Sequence, residues 1–310
     1  MLNIPAQTPY VGRFAPSPTG PLHLGSLATA LGSFLDARVH QGQWLLRIED
    51  IDEGRCDSAA VEHILHTLTR HGLQWQGEVW VQSQRHSVYE VALKRLSVLN
   101  LTYPCACTRK EIDDVNSTRA PGENRIYPGT CRHGMPAGRE ARAIRFRCPV
   151  APIAWLDHRL GRFENDLNTS SGDFVLKRGD GYWAYHLVVV VDDLASKVTH
   201  IVRGEDLADT TARQIAVWKA LQGGLDAQAV AQATLIPPSY WHLPVILAKD
   251  GQKLSKQTGA LAVPEHDPVL NLNIVWQHFG LGKIKATEVT QWLELATPVW
   301  AGYRAAQAAR

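Results

Sequence analysis

Near its start the chain reads strand, proline-rich loop, helix, strand, and that order confines it to the βαβ opening of an α/β fold. Pro9 to Phe14 has the composition of a short strand. It runs into Ala15-Pro16-Ser17-Pro18-Thr19-Gly20-Pro21, where proline removes backbone donors and disfavours helical geometry in the residue before it. A helix is predicted from His23 or Leu24, because Leu24, Ala28, Leu31 and Leu35 recur at spacings of four, three and four and share one face. Gly42 is placed to stop it, and Trp44 to Ile48 reads as the next strand. A strand that feeds a helix through a tight loop offers unpaired backbone N–H groups and the positive end of a helix dipole. Both suit a phosphate.

A second helix is expected with Ser58 as its cap, Val61, Ile64, Leu65 and Leu68 on one face and Gly72 just past its end. A third is expected over about 84 to 99. From 101 to 182 glycine, proline and cysteine replace helical periodicity, which reads as an inserted module of loops and short strands. From Tyr185 a buried-strand pattern returns, with Val188 to Val191 and then Val198 to Val202. The predicted organisation is a split α/β domain at 8–100 and 183–258, an insert at 101–182 and a small helical cap at 259–310. Amphipathic stretches near Leu270–Phe279 and Val289–Leu295 would supply the cap, within the 54 residues that follow Lys256.

Composition removes other classes. With 45% apolar and 20% charged residues in 310, the chain is globular rather than disordered. A net charge of +2 leaves any RNA contact to local patches. The longest notable apolar run, Leu187 to Val191, is strand-sized, and Met1 to Thr8 lacks the pattern of a signal peptide. Five cysteines, three of them between 105 and 131, do not form a disulfide framework. A reducing cytoplasm is the expected compartment, with no membrane partner.

Gly12 to Ser26 as a whole resembles the first signature of the class I aminoacyl-tRNA synthetases, in the form used by their glutamate-specific branch. Lys253-Leu254-Ser255-Lys256-Gln257 resembles the second, with Gln257 where the family usually has a serine. The resemblance covers about residues 9 to 260 and implies a Rossmann-like class I synthetase catalytic domain carrying a zinc-binding insert. It implies an ATP site of His23, Gly25, Ser26, Lys253, Ser255 and Lys256, with His23 and Lys256 catalytic and Mg²⁺ arriving with ATP. Two lysines three apart suit a departing pyrophosphate. It also implies an L-glutamate site of Arg13, Ala15, Ser17, Glu49, Tyr185 and Arg203. The residue types agree with that substrate, whose carboxylates call for arginines and whose ammonium calls for an acid. Which arginine takes which carboxylate stays open.

Cys105-Ala106-Cys107 and Cys131 supply three soft ligands for a structural Zn²⁺. Spacing alone offers His133 as the fourth. Tyr127-Pro128-Gly129-Thr130-Cys131-Arg132 resembles a short branch of the family in which a tyrosine completes the site, which implies Tyr127 instead. Cys56 and Cys148 read as apolar fillers. Arg139, Arg142, Arg145 and Arg147 follow the cysteines, and Ile144 and Phe146 alternate with the last two. That predicts a strand with one arginine-bearing face, either solvated or against an RNA backbone. The tyrosine segment and the short stretch after Lys256 make the chain similar to the glutamyl-Q tRNA(Asp) synthetases. Members of that family activate glutamate without tRNA and esterify it to queuosine in the anticodon of tRNA(Asp). A truncated glutamyl-tRNA synthetase acting on tRNA(Glu), and a non-catalytic RNA-binding paralogue, remain as alternatives; His23 and Lys256 both argue against the second.

Overall fold

The computed structural model describes residues 9–120, 123, 125–223, 236–246 and 261–308. β1 (Val11–Phe14), α1 (Leu24–Val39) and β2 (Gln43–Ile48) make the expected βαβ unit, with the strands parallel and Arg13 opposite Leu45. The positive-φ residue after α1 is Gln41, at 51°, rather than Gly42. Glycine is needed at 42 for close approach instead, since a Cβ there would lie 2.5 Å from the Tyr10 carbonyl oxygen. α2 (Ser58–Arg70) is capped by Asp57, not Ser58: the Asp57 Oδ1 accepts from the Ala59 N–H at 2.9 Å. Gly72, at φ 69°, closes its far end as expected. β3 (Trp80–Val81) adds to β2 in parallel, and α3 (His86–Val98) follows.

The next stretch holds β4 (Thr102–Cys105), α4 (Arg109–Val115), β5 (Ala143–Phe146), β6 (Ile153–Asp157), β7 (Gly161–Asn165), α5 (Leu167–Ser170) and β8 (Phe174–Arg178). β4, β5 and β8 form an antiparallel sheet in that order, whereas β6 and β7 form a hairpin that joins a different sheet. The arginines of β5 and its exit are not a solvated face. Arg145 is 8% exposed and donates to the Asp173 carbonyl at 2.8 Å, and Arg147 donates to the Arg132 carbonyl at 2.7 Å.

α6 (Tyr185–Ala195) replaces the strand expected at Val188–Val191. Leu187 to Asp193 are all buried in it, so no polar face marks the helical repeat, and an apolar run of this length is ambiguous by periodicity. β9 (His200–Gly204), α7 (Thr211–Gly223) and β10 (Ser239–Leu243) complete the second sheet, of order β7-β6-β10-β9, with β10 parallel to both neighbours. Thr199 stitches it to the first sheet: its Oγ1 accepts from the Val11 N–H at 2.8 Å and its own N–H donates to the Val11 carbonyl at 2.9 Å. The strand order therefore runs β3-β2-β1-β9-β10 and reverses between β1 and β9. Ligands of open α/β sheets collect beyond the carboxyl ends of the strands at such a point.

α1 packs with α8 (Pro268–His278) and α9 (Val289–Ala308), while α3, α6 and α7 pack together in a separate core. α9 extends past Leu295, through Pro298, to Ala308. Trp276, Trp292 and Trp300 are fully buried with Trp44 and Trp241, so these helices close the core over α1. Burying one such side chain is worth on the order of 3 kcal/mol. Among the described residues, no helix is long and apolar enough to cross a membrane.

Candidate active site

The loop between β1 and α1 is fixed at both ends. Glu49 and Asp57 donate their backbone N–H groups to the Pro16 and Pro18 carbonyls at 3.0 and 2.9 Å. His23 is the N-cap of α1, its Nδ1 accepting from the Ser26 N–H at 3.2 Å. That bond makes Nδ1 the acceptor nitrogen and puts the ring proton on Nε2, where it can be donated to an oxyanion.

A cavity of about 420 Å³ opens at this helix end. Arg13, Ala15, Ser17, Glu49, Tyr185 and Arg203, the six expected amino-acid contacts, all line it. So do His23, Gly25 and Ser26 from the expected nucleotide loop. Lys253, Ser255 and Lys256 lie outside the described residues. Their described flanks border the same place: Ile246 lines the cavity, and the Val263 N–H donates to the Leu22 carbonyl at 2.8 Å, beside His23.

The charged lining is held from behind by a buried network. Arg13 pairs with Asp193 at 3.2 Å, and Arg47 pairs with Asp193 at 2.7 Å and with Glu49 at 2.9 Å. Asp192, next along α6, takes Arg85 at 2.8 Å and the Gln82 amide and Tyr89 hydroxyl at 2.9 Å each. Arg13, Arg47 and the half-buried Arg85 thus balance Glu49, Asp192 and Asp193, which is how five buried charges avoid a large desolvation cost. Burial raises the Glu49 carboxyl, with Arg47 and Arg13 pulling it back. Burial raises Asp193 too, but Arg13 and Arg47 outweigh it and hold the carboxyl below the usual range. Burial lifts the Tyr185 phenol, so it stays protonated.

A second cluster sits in the β4–β5–β8 region. The ligand sulfurs of Cys105, Cys107 and Cys131 lie within 4.8 Å of one another, with Cys107 and Cys131 3.7 Å apart. The Tyr127 hydroxyl lies 3.4 Å from the Cys105 sulfur and 3.8 Å from that of Cys107, while His133 is exposed. Bonds of about 2.3 Å to a tetrahedral zinc would set sulfurs about 3.8 Å apart, so the donor set fits such an ion. Arg145 supports it, donating from Nε to the Cys105 sulfur at 3.2 Å with its guanidinium 3.8 Å from the Tyr127 ring centre. Cys148 is apart from this cluster; it is buried against the Gly172 carbonyl, and burial pushes its thiol up to about 12.

Residues 10–268 match the family model described as class I tRNA synthetases (E and Q), catalytic domain. The chain is 48% identical to a glutamyl-Q tRNA(Asp) synthetase of Janthinobacterium sp. over 94% of its length and 97% of the relative's. It is also 48% identical to one from Cupriavidus metallidurans, over 94% and 91% of the two chains. The chain belongs to the glutamyl-Q tRNA(Asp) synthetase branch of the class I synthetases. It is accordingly an enzyme of the ligase type. A glutamate–tRNA synthetase structure from Elizabethkingia anophelis superposes with a TM-score of 0.67 at 30% identity, over 81% of this chain. A glutamate tRNA ligase from Elizabethkingia meningosepticum in complex with its amino acid gives 0.66, again at 30% identity over 81%. The chain spans about half, 53%, of each of those longer proteins.

Within this synthetase site, sequence reasoning missed Arg47, Asp193 and Asp192. Arg47 was legible in principle, because it lies two residues before Glu49 on a strand and so shares its face. The aspartates carried a weaker signal, two acids ending an apolar run, which demands buried cations only once the run is known to be buried.

Proposed function

We propose that the enzyme activates L-glutamate with ATP, without tRNA, and transfers it to queuosine in the anticodon of tRNA(Asp). The observation that carries this reading is the convergence of Arg13, Glu49, Tyr185 and Arg203 in one cavity with the N-terminus of α1. Two guanidinium groups match the two carboxylates of glutamate and Glu49 matches its ammonium. Each of these three charges is already held by protein partners, so no RNA contact is required to build the pocket.

ATP enters as its magnesium complex and lays its phosphates at the helix end. The glutamate α-carboxylate attacks the α-phosphorus, the bond to the bridging oxygen breaks, and pyrophosphate leaves. His23 donates from Nε2 to the charge that develops, and Lys253 and Lys256 follow the leaving group; the rest is positioning. A hydroxyl of the queuosine cis-diol then attacks the carbonyl of the mixed anhydride and expels AMP. That acceptor is supported by the names of the relatives. Cys105, Cys107, Cys131 and Tyr127 would hold a structural zinc, which would tie β4 to the 127–131 loop. Burial raises the Tyr127 phenol, so Tyr127 would join as a phenolate only with a bound cation to favour that charge.

The test uses purified protein in glutamate-dependent exchange of pyrophosphate into ATP, then transfer of labelled glutamate to tRNA(Asp) with and without queuosine. Exchange without tRNA, and transfer to the modified tRNA alone that prior periodate cleavage abolishes, is the expected result. Exchange that requires tRNA, or efficient charging of tRNA(Glu), refutes the proposal.

A further inference from the structure

Arg203 is held by a buried imidazole. It lies directly opposite His242 in the register of β9 and β10, and its Nε donates to His242 Nε2 at 3.0 Å. Its Nη1 and Nη2 donate to Gln214 Oε1 and Thr211 Oγ1, each at 2.7 Å. The other ring nitrogen of His242, Nδ1, is 2.6 Å from Asp157 Oδ2, an oxygen that also accepts the His242 backbone N–H at 3.0 Å. Both side chains of the His242–Asp157 pair are 0% exposed. A guanidinium has no acceptor, so Nε2 must offer its lone pair to Arg203 and the ring proton must sit on Nδ1, facing Asp157.

We propose that Asp157 and His242 are positioning residues that aim the Arg203 guanidinium at the substrate carboxylate, and that protonation of His242 disables them. This rests on the reading of the cavity as a glutamate site. A proton on Nε2 would replace the acceptor with a second N–H pointed at an arginine, and Arg203 would have to turn away. The groups that face the imidazole are Asp157 from β6, Arg203 from β9, Thr211 from α7 with Oγ1 3.5 Å from Nε2, and the stacked Tyr240 ring with its centre 6.1 Å away. Arg159 approaches from behind, donating to the His242 carbonyl at 2.6 Å while pairing with Glu205. Burial lowers the imidazole below its ordinary range and Arg203 adds to that, with Asp157 pulling the other way. The neutral form therefore prevails at neutral pH, and the device fails only on the acid side.

The experiment measures KM for glutamate and for ATP in pyrophosphate exchange, with full-length protein, between about pH 5 and about pH 8. Wild-type KM for glutamate should rise as pH falls, with KM for ATP flat. His242→Gln keeps an acceptor for Arg203 but cannot protonate. Its KM for glutamate should stay within about threefold of wild type and lose the acid-side rise. His242→Phe removes the acceptor and should raise KM for glutamate roughly 10- to 100-fold, sparing KM for ATP. Should His242→Phe fail to fold, the wild-type and His242→Gln profiles still decide. An acid-side rise that persists in His242→Gln would assign it to Glu49 and overturn the inference. A flat wild-type profile, or equal rises in both KM values for His242→Phe, would do the same. Wild-type protein with no glutamate-dependent exchange overturns the cavity reading and this inference with it.

Discussion

Arg47 and Glu49, two residues apart where β2 enters its loop, form a buried pair in which both guanidinium contacts fall on one oxygen, Oε1, at 2.9 and 3.3 Å. Glu49 itself lines the cavity. Arg47 also donates to Asp193, which in turn holds Arg13. One arginine therefore holds, directly or through Asp193, both an acid and a guanidinium that line the cavity.

Removing it should be costly twice over. Arg47→Met leaves Glu49 and Asp193 without their shared cation and should lower unfolding stability by about 3–5 kcal/mol. Denaturant unfolding measures that loss. Glutamate activation should fall further than ATP binding does, and a variant of wild-type stability would show that the pair contributes nothing net.

Acid should unfold the protein through Asp193 and Asp157. Burial works against both charges, but Arg13 and Arg47 at Asp193, and His242 with the backbone N–H groups at Asp157, hold both carboxyls below the usual range. The unfolded aspartates, at about 3.9, then bind more protons than the folded ones do between the two values. Their contribution is full above about pH 4 and is lost as pH falls through the lower folded values. Thermal midpoints across that range should drop, and Asp193→Asn should start lower and drop less.

Metal analysis of the purified protein should return one zinc per chain. Tyr127→Phe deletes only the ligand oxygen and should speed zinc loss to a chelator. His133→Ala should leave it unchanged, because His133 is exposed and the Tyr127 hydroxyl is the group among the sulfurs. The reverse ranking of the two variants would reassign the fourth ligand.

Lys256→Ala should slow pyrophosphate exchange by roughly 10²-fold or more at saturating glutamate, as expected for a charge that acts on the transition state. Comparable KM values for wild type and variant would place the loss in the chemical step. An unchanged rate would remove Lys256 from the mechanism.

The sequence by itself determined the βαβ opening, because proline at 16, 18 and 21 forbids helix and the Leu24–Leu35 spacing demands it. Resemblance to one family pattern also drew Arg13, Glu49, Tyr185 and Arg203 together, and all four line one cavity. Tertiary structure decided the rest wherever burial is two-sided. Leu187 to Val191 became helix rather than strand because a segment enclosed on every side displays no polar face from which to read its period. Arg145, expected on a solvated or RNA-facing strand face, turned inward because Asp173 and the Cys105–Tyr127 cluster, distant in sequence, meet it there. The Arg13–Asp193–Arg47–Glu49 and Asp157–His242–Arg203 chains join residues up to 180 positions apart. Buried charges take partners by proximity in space, and sequence spacing carries no record of that until the chain has folded.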